Sequence, residues 1–188
     1  MNIIVRTYGS KTVTRPDTTW KRGDDASFLP EFVDRVSWAP VIFARVCKAG
    51  RSVAEKFAGR YYDGIGFGVL LYAENLIDGC PEGFCEASCL DHSSFLCWPV
   101  YDKITLGVEG NLFELFKDGE PLFSCKSPDA SLVENAIARA TEFCYIRSGD
   151  FVLQELAARQ TLLEGRDSSC HVKGAFCGNP AVDFKVIL

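Results

Sequence analysis

Several side chains that can hold a metal or carry thiolate chemistry crowd one stretch of the chain. Cys80, Cys85, Cys89 and His92 lie within thirteen residues, and Cys97 follows. Zinc takes Cys and His in four-coordinate sites. The spacing is not a repeated C-x2-C, so a cysteine-rich loop fits it better, with zinc as the alternative. Cys89 and His92 would be i,i+3 neighbours on a helix, where a thiol and an imidazole can act as nucleophile and base. The plainer reading is a loop thiol beside a solvated imidazole. Asp91-His92-Ser93 spells the residue types of a triad, but adjacent residues seldom point at one site. Cys170-His171, near the end of the chain, reads as surface structure.

The elements that must position these groups are mostly strands. Val41 to Lys48 carries Val41, Ile42, Phe43 and Val46, which favour extended backbone. Ser52-Val53-Ala54-Glu55 has the spacing of a capping box and predicts a short helix ending at Gly59 with a positive φ. Ile65 to Asn75 predicts a second apolar strand. Residues 104–125 read as a β-meander with turns at Gly110-Asn111 and Asp118-Gly119. Ser131 to Glu134 is a second capping box. The helix it opens carries Leu132, Val133, Ala136, Ile137, Ala140 and Phe143 on one stripe. Strands follow at Phe151 to Leu156 and Asp183 to Leu188. Residues 9–31, rich in Thr, Asp, Gly and Pro, read as an irregular arm. The class is α+β: β-rich, with short covering helices, in one domain over 1–188.

Bulk composition bounds the function. Of the 188 residues, 47% are hydrophobic and 24% charged, the balance of a chain that can bury a core. The net charge is −5, and no cluster of Lys and Arg marks a nucleic-acid surface. No apolar run reaches the ~18 residues of a membrane span. The opening Met1 to Arg6 reads as a strand, not a signal peptide. Nine cysteines, an odd number, fit a reducing compartment, so the expected location is cytoplasmic.

One longer run is more specific. Glu55-Lys56-Phe57-Ala58-Gly59-Arg60-Tyr61-Tyr62-Asp63-Gly64-Ile65-Gly66 closely resembles the E-K-F-A-x-K-Y-Y-D-E-I-G run of fumarylacetoacetate hydrolase-family proteins. Arg15-Pro16-Asp17-Thr18, Ser131 to Asp150 and Asp183-Phe184-Lys185 resemble other family segments in the same order. The resemblance implies a mixed β-sandwich roll, usually dimeric. It also implies hydrolysis, isomerisation or decarboxylation of small β-keto or 2-oxo acids around Mg²⁺ or a similar ion. Such an ion needs hard oxygen ligands.

The resemblance places those ligands where this chain has none. The family's E-x-E falls on Ala39 and Val41, and its metal Asp on Leu70. Its Arg becomes Glu74 and a following Asp becomes Asn75. No His follows Arg6-Thr7-Tyr8, where the family has its catalytic histidine. No Lys occurs between Cys80 and Leu90, and the late G-T-P turn aligns with Glu155-Leu156-Ala157. Glu74 and Glu86 are the acids left near the aligned cleft, and with His92 they are the remaining acid–base candidates. Arg15 is a candidate for binding a carboxylate, with a structural ion pair as the plainer role.

The expectation is therefore a family-like pseudoenzyme with no metal cofactor, kept for binding or assembly. It would pair as a homodimer or with a paralogue, and could take a small organic acid. Its cleft would be closed by Leu70, Trp38 or Phe67. The alternative is a diverged hydrolase, isomerase or decarboxylase of a small oxo-acid.

Overall fold

In a computed structural model, which describes residues 1–21 and 26–188, the chain runs through fourteen strands and three α-helices. The strands are β1 (Ile3–Arg6), β2 (Thr12–Arg15), β3 (Trp20–Lys21), β4 (Ser27–Phe28), β5 (Arg35–Val46), β6 (Tyr62–Ala73) and β7 (Ser94–Leu96). After them come β8 (Tyr101–Asp102), β9 (Leu112–Lys117), β10 (Glu120–Lys126), β11 (Phe151–Glu155), β12 (Gln160–Glu164), β13 (Ser169–Phe176) and β14 (Asn179–Ile187). The helices are α1 (Glu55–Ala58), α2 (Pro81–Ser88) and α3 (Ala130–Phe143).

Two sheets form. The larger follows the order β2-β1-β11-β5-β6-β7-β3, with β12 added to β5 and β8 to β6. The smaller follows β10-β9-β13-β14-β4. The large sheet curls into a half-barrel. Its two long strands, β5 and β6, are antiparallel and buried on both faces, which explains their nearly unbroken apolar sequences.

Strand alternation sorts their side chains into two cores. On the outer face, Phe67 stacks on Phe113 of the second sheet at 4.7 Å, and Phe95 stacks on Phe184 at 3.6 Å. Trp38 meets Phe123 edge-on at 6.4 Å. Helix α3 packs near β1, β5 and β11, burying Val133, Ala136, Ile137 and Ala140. On the inner face, Ala39, Val41, Phe43, Leu70 and Leu153 form the second core. Trp38 and Phe67 therefore belong to the outer core and do not close the inner space, as had been expected of them. Leu70 does face inward.

Glycine sets the bore of the half-barrel. A Cβ on Gly68 would lie 2.2 Å from the Phe95 carbonyl oxygen, and one on Gly66 would lie 2.3 Å from Phe43. Without side chains here, β6 comes close to its neighbours and the inner aromatic ring has room.

Local details differ from the sequence reading for identifiable reasons. The long strands extend further than predicted, because β5 and β6 pair from Val36–Ala73 to Val46–Tyr62. Neither capping box forms. Ser52 sits at φ 51 and its N–H donates to the Thr141 carbonyl, so α1 starts after Ala54 without a side-chain cap. Gly59 stays right-handed at φ −57. For α3 the cap is Asp129, whose carboxylate accepts from the Ser131 N–H at 2.8 Å. Phe143 points to solvent, 61% exposed, and Thr141 is buried in its stead. Thr141 Oγ1 accepts from the Val53 N–H, which ties the α1 segment to α3. The meander is narrower than predicted, β9 and β10 alone, joined through Asp118 and Gly119 at positive φ. The arm at 9–31 is not irregular throughout. It contributes β2, β3 and β4, and residues 22–25 lie outside the described residues.

No helix among the described residues is long and apolar enough to cross a membrane. The contact at Gly68 has a testable consequence. Gly68→Ala should destabilise the fold by about 3 kcal/mol or more through backbone overpacking. Gly165→Ala, at φ +90 with open space around it, should cost only about 1–2 kcal/mol. Urea denaturation of the two variants checks the ordering, and equal costs would contradict the close approach.

Candidate functional site

The cysteine-rich stretch does not assemble a site. Helix α2 begins with Pro81, and Cys80 caps it through its sulfur, which accepts from the Gly83 N–H at 3.2 Å. Cys80, Cys85 and Cys89 are exposed free thiols. A hydrogen bond to Asp78 pushes the Cys80 thiol above its ordinary pKa. The helix ends at Ser88, so Cys89 and His92 do not share a helical face. His92 sits at φ 57 in an exposed turn. Ser93 is buried and donates to the Leu90 carbonyl, so Asp91-His92-Ser93 does not converge. Among the described residues no group of three or more His, Cys, Asp or Glu side chains could hold a metal. The zinc set Cys80, Cys85, Cys89 and His92 is thus not brought together. His171 pairs with Asp183, and its neighbour Cys170 is buried, so that dipeptide is only half surface.

The polar cluster that does form is inside the half-barrel, and the sequence reading missed most of it. Arg15 is 1% exposed. From the end of β2 it reaches across to the opposite edge of the curled sheet. Its guanidinium donates to Ser94 Oγ at 2.7 Å, to the Ser93 carbonyl at 3.2 Å and to the Leu71 carbonyl. It also lies 4.6 Å from the centre of the Tyr72 ring. Burial pulls the Arg15 pKa down, while Tyr72, Glu155 and Cys89 push it back up.

Tyr72 is fully buried and donates its phenol proton to Glu155 Oε1 at 2.5 Å. The other Glu155 oxygen accepts from the Tyr8 N–H at 2.8 Å. Glu155 is 4% exposed and stands opposite Val41 in the β11–β5 register. A carboxylate therefore does enter the inner space, from β11 and not from the strands where one was sought. Strand alternation through Phe151, Leu153 and Glu155 was the available signal. A charged residue continuing an inward stripe is a buried charge in need of partners.

Arg159 covers the outer side of this cluster. Its guanidinium lies 5.1 Å from the Tyr72 ring and 4.9 Å from the Phe84 ring, and its Nε is 3.8 Å from Glu74. Glu74 also accepts from Ser37. Glu74 is therefore paired, and Glu86 is exposed on α2, away from the cluster. Arg15 donates through its two terminal nitrogens to backbone and hydroxyl oxygens of its own chain, and its buried Nε has no partner among the described residues.

Ala39, Val41 and Leu70 face this interior and each is 0% exposed. Ala39 and Leu70 are direct register partners. A hard divalent cation needs about six oxygen ligands. Three aliphatic side chains in a packed core supply none, so these positions do not fit such an ion.

Solved structures place the architecture. Over 99% of this chain and 92% of the other, it superposes on a Yersinia pestis protein assigned to the fumarylacetoacetate hydrolase family, with TM-score 0.79 and 16% identity. Fumarylpyruvate hydrolase from Pseudomonas aeruginosa, solved with Mn²⁺ and pyruvate, matches 95% of this chain and 78% of its own at TM-score 0.77 and 16% identity. A 5-carboxymethyl-2-hydroxymuconate delta-isomerase from Mycobacterium smegmatis matches 94% and 68% at TM-score 0.77 and 14% identity. The fold is of the fumarylacetoacetate hydrolase type. No protein-family model and no curated protein matches the sequence.

The buried phenol gives a pH prediction. Burial raises the Tyr72 pKa well above its ordinary 10.0, with Arg15 opposing and Glu155 adding to the rise. The unfolded chain loses this proton first, so the contribution is intact below about pH 10 and lost as pH rises beyond it. Tyr62, raised to about 12, and the buried thiols Cys97 and Cys170, each raised to about 11, act in the same direction. Tyr72→Phe should lose about 1–3 kcal/mol at neutral pH by leaving Glu155 short of a donor. Its alkaline loss of stability should be shallower than that of the parent. Urea midpoints measured from about pH 8 to 11 test both, and parallel curves would contradict the assignment.

Proposed function

We propose that this chain is a non-catalytic relative of the fumarylacetoacetate hydrolase-fold enzymes, retained for binding or assembly. The observation that carries the reading is the packing of Ala39, Val41 and Leu70. The positions that the sequence resemblance assigns to metal-binding carboxylates are apolar and fully buried, and two of them, Ala39 and Leu70, are register partners. The one carboxylate that enters the same interior, Glu155, has both oxygens engaged by Tyr72 and the Tyr8 amide. A general base needs a lone pair within hydrogen-bond reach of a substrate proton. Here each oxygen already accepts one hydrogen bond from the protein itself.

The reading also accounts for Arg15. In a cleft built for oxo-acids, a guanidinium on the wall would meet a substrate carboxylate bidentately. In this chain its donors are directed to Leu71, Ser93 and Ser94, and it holds the curled sheet closed. A fold whose inner space is filled this way keeps its outer surfaces for partners, and pairing with a second copy or a related chain follows as part of the proposal.

The test is enzymatic. Acylpyruvate hydrolysis and oxaloacetate decarboxylation are measured with and without added Mg²⁺ or Mn²⁺. The expected result is no turnover above the uncatalysed rate in either condition. Turnover that depends on added metal would overturn the proposal. Calorimetric titration with Mn²⁺ should likewise give no saturable heat.

A further inference from the structure

A cavity of about 880 Å³ opens at the other end of the half-barrel. Arg45 and Phe151, two of its walls, are register partners four residues along β5 and β11 from Val41 and Glu155. At the usual strand rise that is about 13 Å away. The cavity is thus separate from the Arg15–Tyr72–Glu155 cluster. Its volume lies within the roughly 300–1,000 Å³ of small-molecule pockets.

The walls are aromatic. Trp20 lies 6.1 Å from Trp98 at 60° and meets Phe151 edge-on at 5.0 Å. The stacked pair Phe95 and Phe184 forms the far side, where the two sheets meet. Trp98 is 60% exposed although large and apolar. Flat rings at these angles accept a planar ligand by edge and face contacts.

The charged groups of the walls select its sign. Lys21 and Arg45 both line the cavity. Arg45 is held by Asp63 at 2.8 Å and its guanidinium lies 5.8 Å from the Trp98 ring centre. Asp183, the acid on the wall, is engaged by His171 and by Lys173 at 3.7 Å. An aromatic cage without charges would suit a quaternary ammonium. Here an arginine already occupies a face of Trp98 and a lysine also lines the cavity, so a cation is disfavoured. Cys97 adds no charge and no nucleophile: burial raises its thiol to about 11, and its sulfur accepts from the Phe67 N–H.

We propose that this cavity binds a small planar aromatic acid. The ring lies among Trp20, Trp98 and Phe151, and the carboxylate faces Lys21 and Arg45. The site uses none of the residues on which the non-catalytic reading rests, so each proposal stands or falls alone.

The experiment is calorimetric titration of the whole chain with 2-naphthoate. The neutral 2-naphthalenemethanol and a naphthylmethyl-trimethylammonium ion are run alongside. The expected result is one saturable site for 2-naphthoate with a Kd below about 1 mM, and weaker binding of the alcohol and weakest of the cation. Lys21→Glu and Trp98→Ala alter partly exposed side chains, and thermal melting confirms that they fold. Each should weaken 2-naphthoate binding at least about tenfold, the effect of losing about 1.4 kcal/mol. The proposal is overturned if 2-naphthoate gives no saturable heat. It is equally overturned if the cation binds as tightly, or if both variants titrate like the parent.

Discussion

One buried guanidinium holds the curled sheet together. Arg15 starts from the strand at one edge and ends on the carbonyls and hydroxyl of the strands near the other. A cation so placed is desolvated at a cost of several kcal/mol, and is tolerable only if the surroundings return the lost hydration. They return most of it with two carbonyls, a hydroxyl, the face of Tyr72 and the field of Glu155, and leave only the buried Nε without a partner. Glu155 in turn needs Tyr72 and the Tyr8 amide, and Arg159 lies over Tyr72 on the side of Glu74. Each member offsets part of the cost of burying the next, so the inner core is specified by a polar network as well as by apolar packing.

The glycines of the sixth strand complement that network. Gly66 and Gly68 remove side chains where the wall comes nearest to Phe43, Leu96 and the Phe95 backbone. The half-barrel is narrow for that reason. At Ala39, Val41 and Leu70, where the sequence resemblance leads one to expect carboxylates, its contents are aliphatic.

Much of this was legible in the sequence, and what was not had physical causes. Long apolar runs announced the two central strands, because a strand buried on both faces has no polar side to interrupt it. Ala39, Val41 and Leu70, which the resemblance singled out, are buried in the inner core. Trp38 and Phe67 were assigned to the wrong face, since a one-residue error in parity moves a strand side chain to the opposite core. The caps failed because a Ser-x-x-Glu pattern competes with other partners: Thr141 claims the Ser52 segment, and Asp129, two residues before Ser131, caps the third helix. Glu155 and Tyr72 escaped attention because their meaning is relational. A glutamate at a strand end looks solvated until the curl of the sheet brings a phenol to it. Arg15 was singled out, for a ligand carboxylate or more plainly a structural ion pair; its partners are carbonyls and a hydroxyl, which have no signature in sequence.

The packing around Ala39, Val41 and Leu70 also limits what can stand there. Three acidic side chains at these positions would place negative charge in a core of fully buried aliphatic and aromatic side chains. Domains of this size hold only about 5–15 kcal/mol of stability, so even one unpaired buried carboxylate would use a large part of it. The packed inner core at this end of the half-barrel therefore restricts these three positions to side chains that carry no charge.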